Sequence, residues 1–205
     1  MIIKIVLSIA IGYLIGSAVA AIMVSKLFFK EDVRDKGSGN SGATNAARVY
    51  GLGFGVLTFV IDFAKGVLAC WLGSLIVGRA GMAFAGLACM IGHCWPLYFG
   101  FRGGKGVSVG AAFALMADWR VFAIGIGVFI VIVLLTKRVS PGSVLGAFAV
   151  GVTCVIFPPE LAFKIMGPIA ALLVIIKHRE NIKRILNGTE PAFSPGRKTG
   201  GGVKG

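Results

Sequence analysis

The chain has 205 residues, of which 57% are apolar and only 14% are charged, and its mean hydropathy is +0.90. A soluble domain needs far more polar surface than this composition supplies, so composition excludes a soluble fold and predicts a membrane protein. Basic residues outnumber acidic ones by 21 to 8, which leaves a formal net charge of +13. Because the basic residues border long apolar runs, this charge favours anionic lipid headgroups or phosphorylated small molecules over nucleic acid.

Apolar runs predict the membrane spans in chain order. The three longest uncharged runs have 21 or 22 residues each, enough to cross about 30 Å of hydrocarbon as a helix. A fourth run contains Asp62 and Lys65, which are predicted to pair on a helix face turned toward protein. Three shorter runs are predicted as thin or tilted spans. The fold class is therefore an all-α polytopic integral membrane protein with about seven transmembrane helices, over 5–25, 51–77, 80–101, 106–117, 121–136, 139–159 and 161–176.

The distribution of Lys and Arg sets the predicted orientation. With the amino terminus outside, the inner segments hold 16 basic residues and the outer segments hold four, while Lys65 is buried. Cytoplasmic loops carry the excess of basic residues, so the amino terminus is predicted outside and the carboxyl terminus in the cytoplasm. Ala18-Val19-Ala20 resembles a signal-peptide cleavage site, but one lysine before this run and five basic residues after it are the reverse of a secretory orientation.

The chain is predicted to be a single membrane domain over residues 1–205, with a flexible cytoplasmic tail over 190–205. No internal repeat is visible, and no linker rich in Ser or Pro divides the sequence. The four cysteines lie in apolar context without CxxC spacing, which predicts packing residues and neither disulfides nor a metal site. No metal ion or cofactor is expected.

Three polar segments interrupt the apolar texture, and the predicted topology places all three on the inner face. The first reads GSGNSGATNAARVYG over residues 37–51. A glycine-rich turn that runs into a helix start exposes N–H groups that favour an anion, and Arg48 can bind phosphate bidentately. The alternative is a flexible polar connecting loop. The candidate residues are Ser38, Gly39, Asn40, Ser41, Gly42, Thr44, Asn45 and Arg48.

The second polar segment reads GHCWPLYFGFRGGKGVSVG over residues 92–110. Its lysine stands among glycines, where an ammonium and neighbouring N–H groups can converge on an oxyanion or a phosphate. The spacing is not that of a Walker A loop, and GVSVG matches the nucleophile elbow at Ser108 only weakly, because no strand precedes it. The histidine is a general base, a substrate ligand or a packed imidazole. The candidate residues are His93, Gly103, Gly104, Lys105 and Gly106.

The third polar segment reads KHRENIKRILNGTE over residues 177–190. His178 and Asn181 stand three apart, so they share the helix face that continues the buried side of the last span. The alternative for this segment is a set of basic residues that close the span at the lipid headgroups, and Lys177, Lys183 and Arg184 fit that interpretation.

The segments GSGNSGATNAAR, GHCWPLYFGFRGGKGV and HRENIKRILNGTE, in this order, resemble the three signature segments of the bacterial acyl-phosphate:glycerol-3-phosphate acyltransferases, the PlsY family. The resemblance covers essentially the whole chain, although GVSVG replaces the more familiar GVAT-like ending. It implies transfer of a fatty acyl group from acyl phosphate to the sn-1 hydroxyl of glycerol 3-phosphate, giving lysophosphatidic acid and phosphate in phospholipid biosynthesis. It also implies a multi-pass protein of the cell (inner) membrane, with its active site on the cytoplasmic side and no cofactor; a monomer is expected.

The resemblance assigns roles to the candidate residues. Lys105 and the N–H groups around Gly103–Gly106 and Ser38–Gly42 are expected to stabilise the donor's phosphate and carbonyl oxygen. Arg48 and Asn45 are expected to hold the phosphate of glycerol 3-phosphate, with His178 and Asn181 near its hydroxyls. Either His178 or an oxygen of the donor phosphate accepts the hydroxyl proton. The catalytic set is Ser38, Lys105, His178 and Asn181, and the substrate-binding set is Gly39, Asn40, Ser41, Gly42, Thr44, Asn45, Arg48, His93, Gly103, Gly104 and Gly106.

Two other function classes fit the sequence less well than this one. A transporter of an organic phosphate places its polar groups near the midplane in repeated halves, whereas here they cluster on one side without a repeat. An acyltransferase that uses acyl-CoA or acyl carrier protein carries His-x4-Asp, but Tyr98 and Lys183 stand where that aspartate would follow the two histidines.

Overall fold

The computed structural model describes residues 1–194 and 196, and all regular structure within them is helical. This confirms the predicted all-α class. Most of the tail predicted over 190–205 lies outside the described residues. There are two short 3₁₀ turns. Val33–Asp35 lies just before the first polar segment, and Leu97–Phe99 lies within the second. The α-helices are α1 (Ile2–Ser17), α2 (Ala20–Phe29), α3 (Ala43–Tyr50), α4 (Leu52–Cys94), α5 (Val107–Ala117), α6 (Trp119–Thr136), α7 (Val139–Ile156), α8 (Leu161–Lys177) and α9 (Arg179–Leu186).

Several helical stretches suit a membrane. Four are long and apolar enough to cross one, and α8 with α9, bent by 60° between them, would make a fifth. These stretches support the prediction of an integral membrane protein, while the count of seven crossings and the orientation of the termini stay predictions. The four are Ile2–Phe29, Leu52–Phe99, Trp119–Thr136 and Val139–Ile156.

The longest helix, α4, consists of two antiparallel limbs. Val77 and Gly78 have non-helical backbone angles, and Gly78 has a φ of 62°. A Cβ atom on Gly73 or Gly81 would meet the backbone of the other residue, so the chain folds back tightly at this point. A straight rod of 43 residues would be about 65 Å long, twice the hydrocarbon thickness. The bend divides α4 where the sequence predicted two separate runs.

The first predicted span is broken between α1 and α2, where Ala18 and Val19 are extended. Lys65 from α4 donates to the carbonyl oxygens of Gly16 (3.0 Å) and Ala18 (2.7 Å). Asp62 accepts from the N–H of Ala20 (3.3 Å) and lies 2.7 Å from the Lys65 ammonium. The predicted inward-facing pair is therefore present, and it satisfies both backbone ends of the break.

Small residues bring α1 onto the second limb of α4. A Cβ atom on Gly12 or Gly16 would overlap the backbone of Ala85 or Cys89, and one on Gly92 would overlap the backbone of Tyr13. Because the contacts advance in the same direction along both helices, the two run parallel. Small residues four positions apart, as Gly12 and Gly16 are, suit such close packing of helices in lipid.

The shortest of the predicted spans, α5, has 11 residues, which is about 16 Å of helix and half a membrane crossing. At its carboxyl end, Arg79 donates to the carbonyl oxygens of Met116 (2.8 Å) and Ala117 (2.6 Å) while pairing with Glu160 (2.8 Å). Its amino end begins at Gly106, which has a φ of 81° and lines the cavity described below. A short helix thus places a helix amino terminus below the surface of the bundle.

We predict that Gly16→Ala lowers the stability of the protein, because the added methyl group overlaps the Cys89 carbonyl. Overpacking of this kind costs roughly 1–3 kcal/mol of unfolding free energy. The measurement is the apparent melting temperature in detergent. Gly127→Ala on α6 is the matched control, since no heavy atom lies within 4 Å of its Cβ position. Equal melting temperatures for the two variants would contradict the packing described for α1.

Candidate active site

A polar cavity of about 480 Å³ lies where the three polar segments meet. The structure therefore brings together residues that are far apart in the chain, as the predicted topology requires. Ser41, Gly103 and Gly104 do not line the cavity. Twelve of the predicted site residues do: Ser38, Gly39, Asn40, Gly42, Thr44, Asn45, Arg48, His93, Lys105, Gly106, His178 and Asn181.

The glycines of the second segment serve a close approach of backbone to backbone. The N–H of Gly103 donates to the Cys94 carbonyl oxygen (3.3 Å), and that of Gly104 donates to the His93 carbonyl oxygen (3.0 Å). A Cβ atom on Gly104 would collide with the His93 imidazole. The N–H groups expected to bind an oxyanion are thus engaged at these two positions, and the loop instead delivers Lys105 to the start of α5.

Lys105 is held by the third segment. Its ammonium donates to Asn181 Oδ1. Asn181 Nδ2 in turn donates to Ser140 Oγ and Glu190 Oε1, both at 2.8 Å. Because a carboxylate only accepts hydrogen bonds, Glu190 fixes the Asn181 amide with its oxygen toward the lysine. Arg184 Nε donates to the other carboxylate oxygen of Glu190 (2.8 Å).

The electrostatics of this network favour an incoming anion. Burial, followed by the nearby Arg184 guanidinium, lowers the pKa of the Lys105 ammonium to about 8. Burial alone would raise the pKa of the Glu190 carboxyl, but hydrogen bonds from Ser140, Asn181 and Arg184 hold it below its usual range. A half-buried ammonium whose hydrogen-bond partner is a neutral amide is stabilised when a phosphate lies at contact distance.

The first segment is braced from within by Asn45, which is 1% exposed. Its Oδ1 accepts from the N–H of Ser38 (2.8 Å), and its Nδ2 donates to the carbonyl oxygens of Val33 (3.1 Å) and Lys36 (3.0 Å). The polar atoms of this amide are therefore occupied by backbone. Asn45 shapes the loop in which it was expected to bind phosphate directly.

Arg34, just before the first segment, contacts the second segment. One of its guanidinium nitrogens, Nη1, donates to the carbonyl oxygens of Phe99 (2.8 Å) and Arg102 (2.9 Å). Asp32 neutralises it through two further hydrogen bonds, to Nε (2.9 Å) and Nη2 (2.7 Å). Sequence reasoning had counted this arginine only as an inner basic residue.

Two helix amino termini border the cavity. Helix α3 starts after Gly42 and α5 starts after Gly106, and both glycines line the wall together with the first residues of their helices. The leading N–H groups of a helix have no partner within it and favour an anion. Arg48 from α3 reaches the same cavity, and its guanidinium has no hydrogen-bond or ion-pair partner among residues 1–194 and 196. The site thus offers two places for anionic groups.

His178 stands at the bend between α8 and α9. Its Nδ1 lies 2.8 Å from the carbonyl oxygen of Val174. A carbonyl can only accept, so Nδ1 bears a hydrogen and, in the neutral ring, Nε2 is an acceptor. The imidazole lines the cavity, where that acceptor suits a hydroxyl group.

Sequence reasoning missed Ser140 and Glu190. Ser140 lies at the start of an apolar helix, where a serine is unremarkable, and its only signal is its place two positions after the basic pair Lys137-Arg138. Glu190 follows a turn glycine, Gly188, and so lies outside the helical pattern that marks His178 and Asn181. The turn at Gly188, with a φ of 70°, in fact carries the carboxylate back to Asn181.

An apolar cleft adjoins the polar cavity. Its walls come from α5, α6, α7 and α8, with one residue from each limb of α4, Phe59 and Met90. Phe59, Val107, Phe129 and Ser143 border both spaces. A molecule with an apolar tail and an anionic head can therefore occupy the two spaces at once.

A family model described as glycerol-3-phosphate acyltransferase matches residues 6–188. The glycerol-3-phosphate acyltransferase of Finegoldia magna is 42% identical over 181 residues, covering 87% of this chain and 90% of the relative. The glycerol-3-phosphate acyltransferase of Thermoanaerobacter pseudethanolicus is 41% identical over 196 residues, covering 95% and 97%.

Solved structures are similar over the same length. The crystal structure of PlsY, an integral membrane glycerol 3-phosphate acyltransferase, in its glycerol 3-phosphate form matches with a TM-score of 0.87 at 32% identity, covering 93% of this chain and 96% of that chain. The lysophosphatidic acid form of PlsY matches with a TM-score of 0.84 at 32% identity, covering 93% and 95%.

We predict that Glu190→Gln destabilises the protein at neutral pH by roughly 1–3 kcal/mol, because Arg184 and Asn181 lose a charged acceptor. The pKa of this carboxyl is lowered from an ordinary value of 4.5, so its stabilisation is present above that value and is lost as the pH falls through the lowered pKa. Melting curves at several pH values should show the gap between wild type and variant closing in acid. Glu180→Gln, at an exposed position, is the control, and an equal effect of both substitutions would contradict the network.

Proposed function

The chain belongs to the glycerol-3-phosphate acyltransferase family, as its three polar segments predicted, and we propose that its acyl donor is an acyl phosphate. The acyl group is transferred to the sn-1 hydroxyl of glycerol 3-phosphate, and the products are lysophosphatidic acid and inorganic phosphate. The observation that carries this proposal is the junction of the cation-lined cavity with the apolar cleft. Each substrate brings one phosphate group, and only the donor brings a long apolar tail.

The two anion-favouring positions suit the two phosphates. The start of α5, with the Lys105 ammonium, lies beside the mouth of the apolar cleft at Val107. We assign the phosphate and carbonyl oxygen of the acyl donor to this position, because its tail then extends into the cleft. The start of α3, with Arg48, takes the phosphate of glycerol 3-phosphate, for which a guanidinium is a bidentate donor.

The proposed orientation follows the charge distribution. The cavity lies at the end of the bundle formed by the three polar segments, on the side that carries 16 of the basic residues. The rule of basic cytoplasmic loops places this end in the cytoplasm, where a soluble phosphate ester reaches it directly. A cytoplasmic cell-membrane site accepts one substrate from water and the other from lipid.

The chemical step needs position and charge neutralisation. The hydroxyl oxygen attacks the acyl carbon, the bond between that carbon and the phosphate oxygen breaks, and phosphate leaves with the electron pair. The Lys105 ammonium and the N–H groups at the start of α5 stabilise the charge that grows on the carbonyl and leaving oxygens. Asn181 aims the ammonium, because its amide is itself fixed by Glu190 and Ser140.

The hydroxyl proton goes to the leaving phosphate. The Glu190 carboxylate is engaged by Arg184 and Asn181, so it is not free to act as a base. His178 Nε2 accepts a hydrogen bond from the neighbouring sn-2 hydroxyl and so orients glycerol 3-phosphate, which leaves the single proton of the attacking hydroxyl free to transfer. A non-bridging oxygen of the donor phosphate lies close to the attacked carbon and accepts the proton as the bond breaks.

The test is a reconstituted assay. Purified protein in lipid nanodiscs, given palmitoyl phosphate and glycerol 3-phosphate, should release phosphate and form sn-1 lysophosphatidic acid only when both substrates are present. Lys105→Met should lower kcat/KM roughly 30- to 1,000-fold. Lys183→Ala, an exposed lysine on the same segment as His178, should change it little. Activity with palmitoyl-CoA or palmitoyl-acyl carrier protein as the sole acyl donor would contradict the proposed donor.

A second prediction concerns alkaline pH. Since the pKa of Lys105 is lowered to about 8, the ammonium is lost as the pH rises through that value, and kcat/KM should fall on this alkaline limb. Lys105→Arg keeps its charge, so the limb should disappear even though the absolute rate is lower. The Lys183→Ala enzyme should retain it. An unchanged limb in Lys105→Arg would assign the titration to another group.

A third prediction concerns His178. The amide of His178→Gln can accept the hydroxyl hydrogen bond but cannot take a proton, so kcat should stay within about tenfold while KM for glycerol 3-phosphate rises. A base would instead contribute ~10²- to 10⁴-fold. Steady-state kinetics of this variant beside His178→Ala therefore separate the two roles. A thousandfold loss of kcat with an unchanged KM would make His178 the base.

A further inference from the structure

A second, buried cluster adjoins the cavity, with Asp62 and His93 in its wall, and the mechanism above does not use it. Its centre is the Lys65 ammonium, which is 8% exposed and lies 2.7 Å from Asp62 Oδ1 and 3.1 Å from His93 Nδ1. Asp62 is 1% and His93 3% exposed. A charged pair in the apolar interior of a membrane protein is expensive to desolvate, so its presence calls for a role.

Closing the break between α1 and α2 explains only part of this cluster. The two carbonyl oxygens of the break and the Asp62 carboxylate already offer the ammonium as many acceptors as it has hydrogens. His93 is nevertheless brought from the other limb of α4 to within hydrogen-bond distance of the same nitrogen. The contact with His93 therefore does something that the backbone break does not require.

The ammonium determines which ring nitrogen of His93 bears the hydrogen. A lysine ammonium only donates, so Nδ1, 3.1 Å away, must present its lone pair. Asp62 Oδ1 is more distant from Nδ1, at 3.5 Å, and a hydrogen on Nδ1 would be repelled by the ammonium 3.1 Å away. The neutral ring therefore carries its hydrogen on Nε2.

The Nε2 hydrogen points toward the loop that carries Lys105. Gly104 lies directly over this nitrogen, so that a Cβ atom there would collide with it. The N–H of Gly104 also donates to the carbonyl oxygen of His93 itself (3.0 Å), which fixes ring and loop together. The imidazole lines the cavity, and no acceptor for its Nε2 lies among the residues that the structure describes. The imidazole thus brings an N–H without a partner among these residues to the cavity wall, next to the loop that carries Lys105.

We propose that Asp62 and Lys65 are positioning residues that hold His93 as an Nε2–H donor to a phosphate oxygen of the acyl donor. This role rests on the proposed function for its substrate, whereas the tautomer does not depend on it. The leaving phosphate gains negative charge as the carbon–oxygen bond breaks, so the hydrogen bond strengthens in the transition state. The neutral ring of His93 adds a hydrogen-bond donor without adding a charge. The Asp62–Lys65 pair beside it carries no net charge either.

The first arm of the test is spectroscopic. The chain has two histidines, so protein labelled with ¹⁵N-histidine gives two imidazoles, and His178→Gln assigns them. At neutral pH His93 should be protonated at Nε2 only, while His178, which donates from Nδ1 to Val174, should show the opposite tautomer and serves as the internal reference. An Nδ1–H tautomer of His93, or a ring protonated on both nitrogens, overturns the proposal whatever the donor substrate proves to be.

The second arm removes the pair without leaving a lone charge. The double variant Asp62→Asn with Lys65→Met should retain a monodisperse fold, while His93 changes to a mixture of tautomers and kcat falls roughly 10- to 100-fold. If this variant does not fold, the conservative pair His93→Gln and His93→Asn decides. Gln places an amide N–H near the position of Nε2 and should keep kcat within about threefold, whereas Asn cannot reach it and should lose roughly 10- to 100-fold at an unchanged KM for glycerol 3-phosphate. Equal losses in both variants overturn the proposal in favour of packing alone.

Discussion

Hydrocarbon offers no hydrogen bonds, so every charged or broken part of this chain below the membrane surface has to be satisfied by the chain itself. Lys65 and Arg79 each meet this constraint by donating to the carbonyl oxygens at the end of a helix, α1 and α5 respectively. Each is neutralised by one carboxylate, Asp62 or Glu160. Lys65 thus allows α1 to end and α2 to begin inside the bundle, and Arg79 holds the carboxyl end of α5 beside the bend of α4.

The same constraint explains why the cavity is built for anions. The start of α5 brings unpaired N–H groups to the cavity wall, and a carboxylate ligand from the protein would have cancelled their field. Lys105 is instead held by the neutral oxygen of Asn181, with the carboxylate of Glu190 one residue further back. The positive field is thus preserved while the ammonium is fixed in place, which is the arrangement that the proposed acyl phosphate donor needs.

Glycine has a packing role in this site as well as a conformational one. Gly104 lies against the His93 ring, and Gly16 against the Cys89 backbone. Both contacts allow a loop or a helix to approach closer than any side chain would permit. At the site, Gly103 and Gly104 were expected to offer N–H groups to a substrate. Their N–H groups instead donate to carbonyl oxygens at the end of α4. The free donors lie at the starts of α3 and α5.

Composition and local spacing determined the membrane class, the all-helical fold and the pairing of Asp62 with Lys65, because these depend on overall composition or on residues close together in the chain. The family followed from the resemblance of the three polar segments to known signature segments. The three polar segments were visible for the same reason. The tertiary structure alone decided which atoms meet: Lys105 with Asn181, which stands 76 positions away, and Asn45 with the loop backbone where a phosphate was expected. Periodicity says which side chains share a helix face, but two helices pack at depths and rotations set by volumes along their whole contact. Ser140 was missed on that account, since it becomes a site residue only through Asn181 of another helix. Glu190 was missed for a local reason, because the turn at Gly188 returns its carboxylate to Asn181.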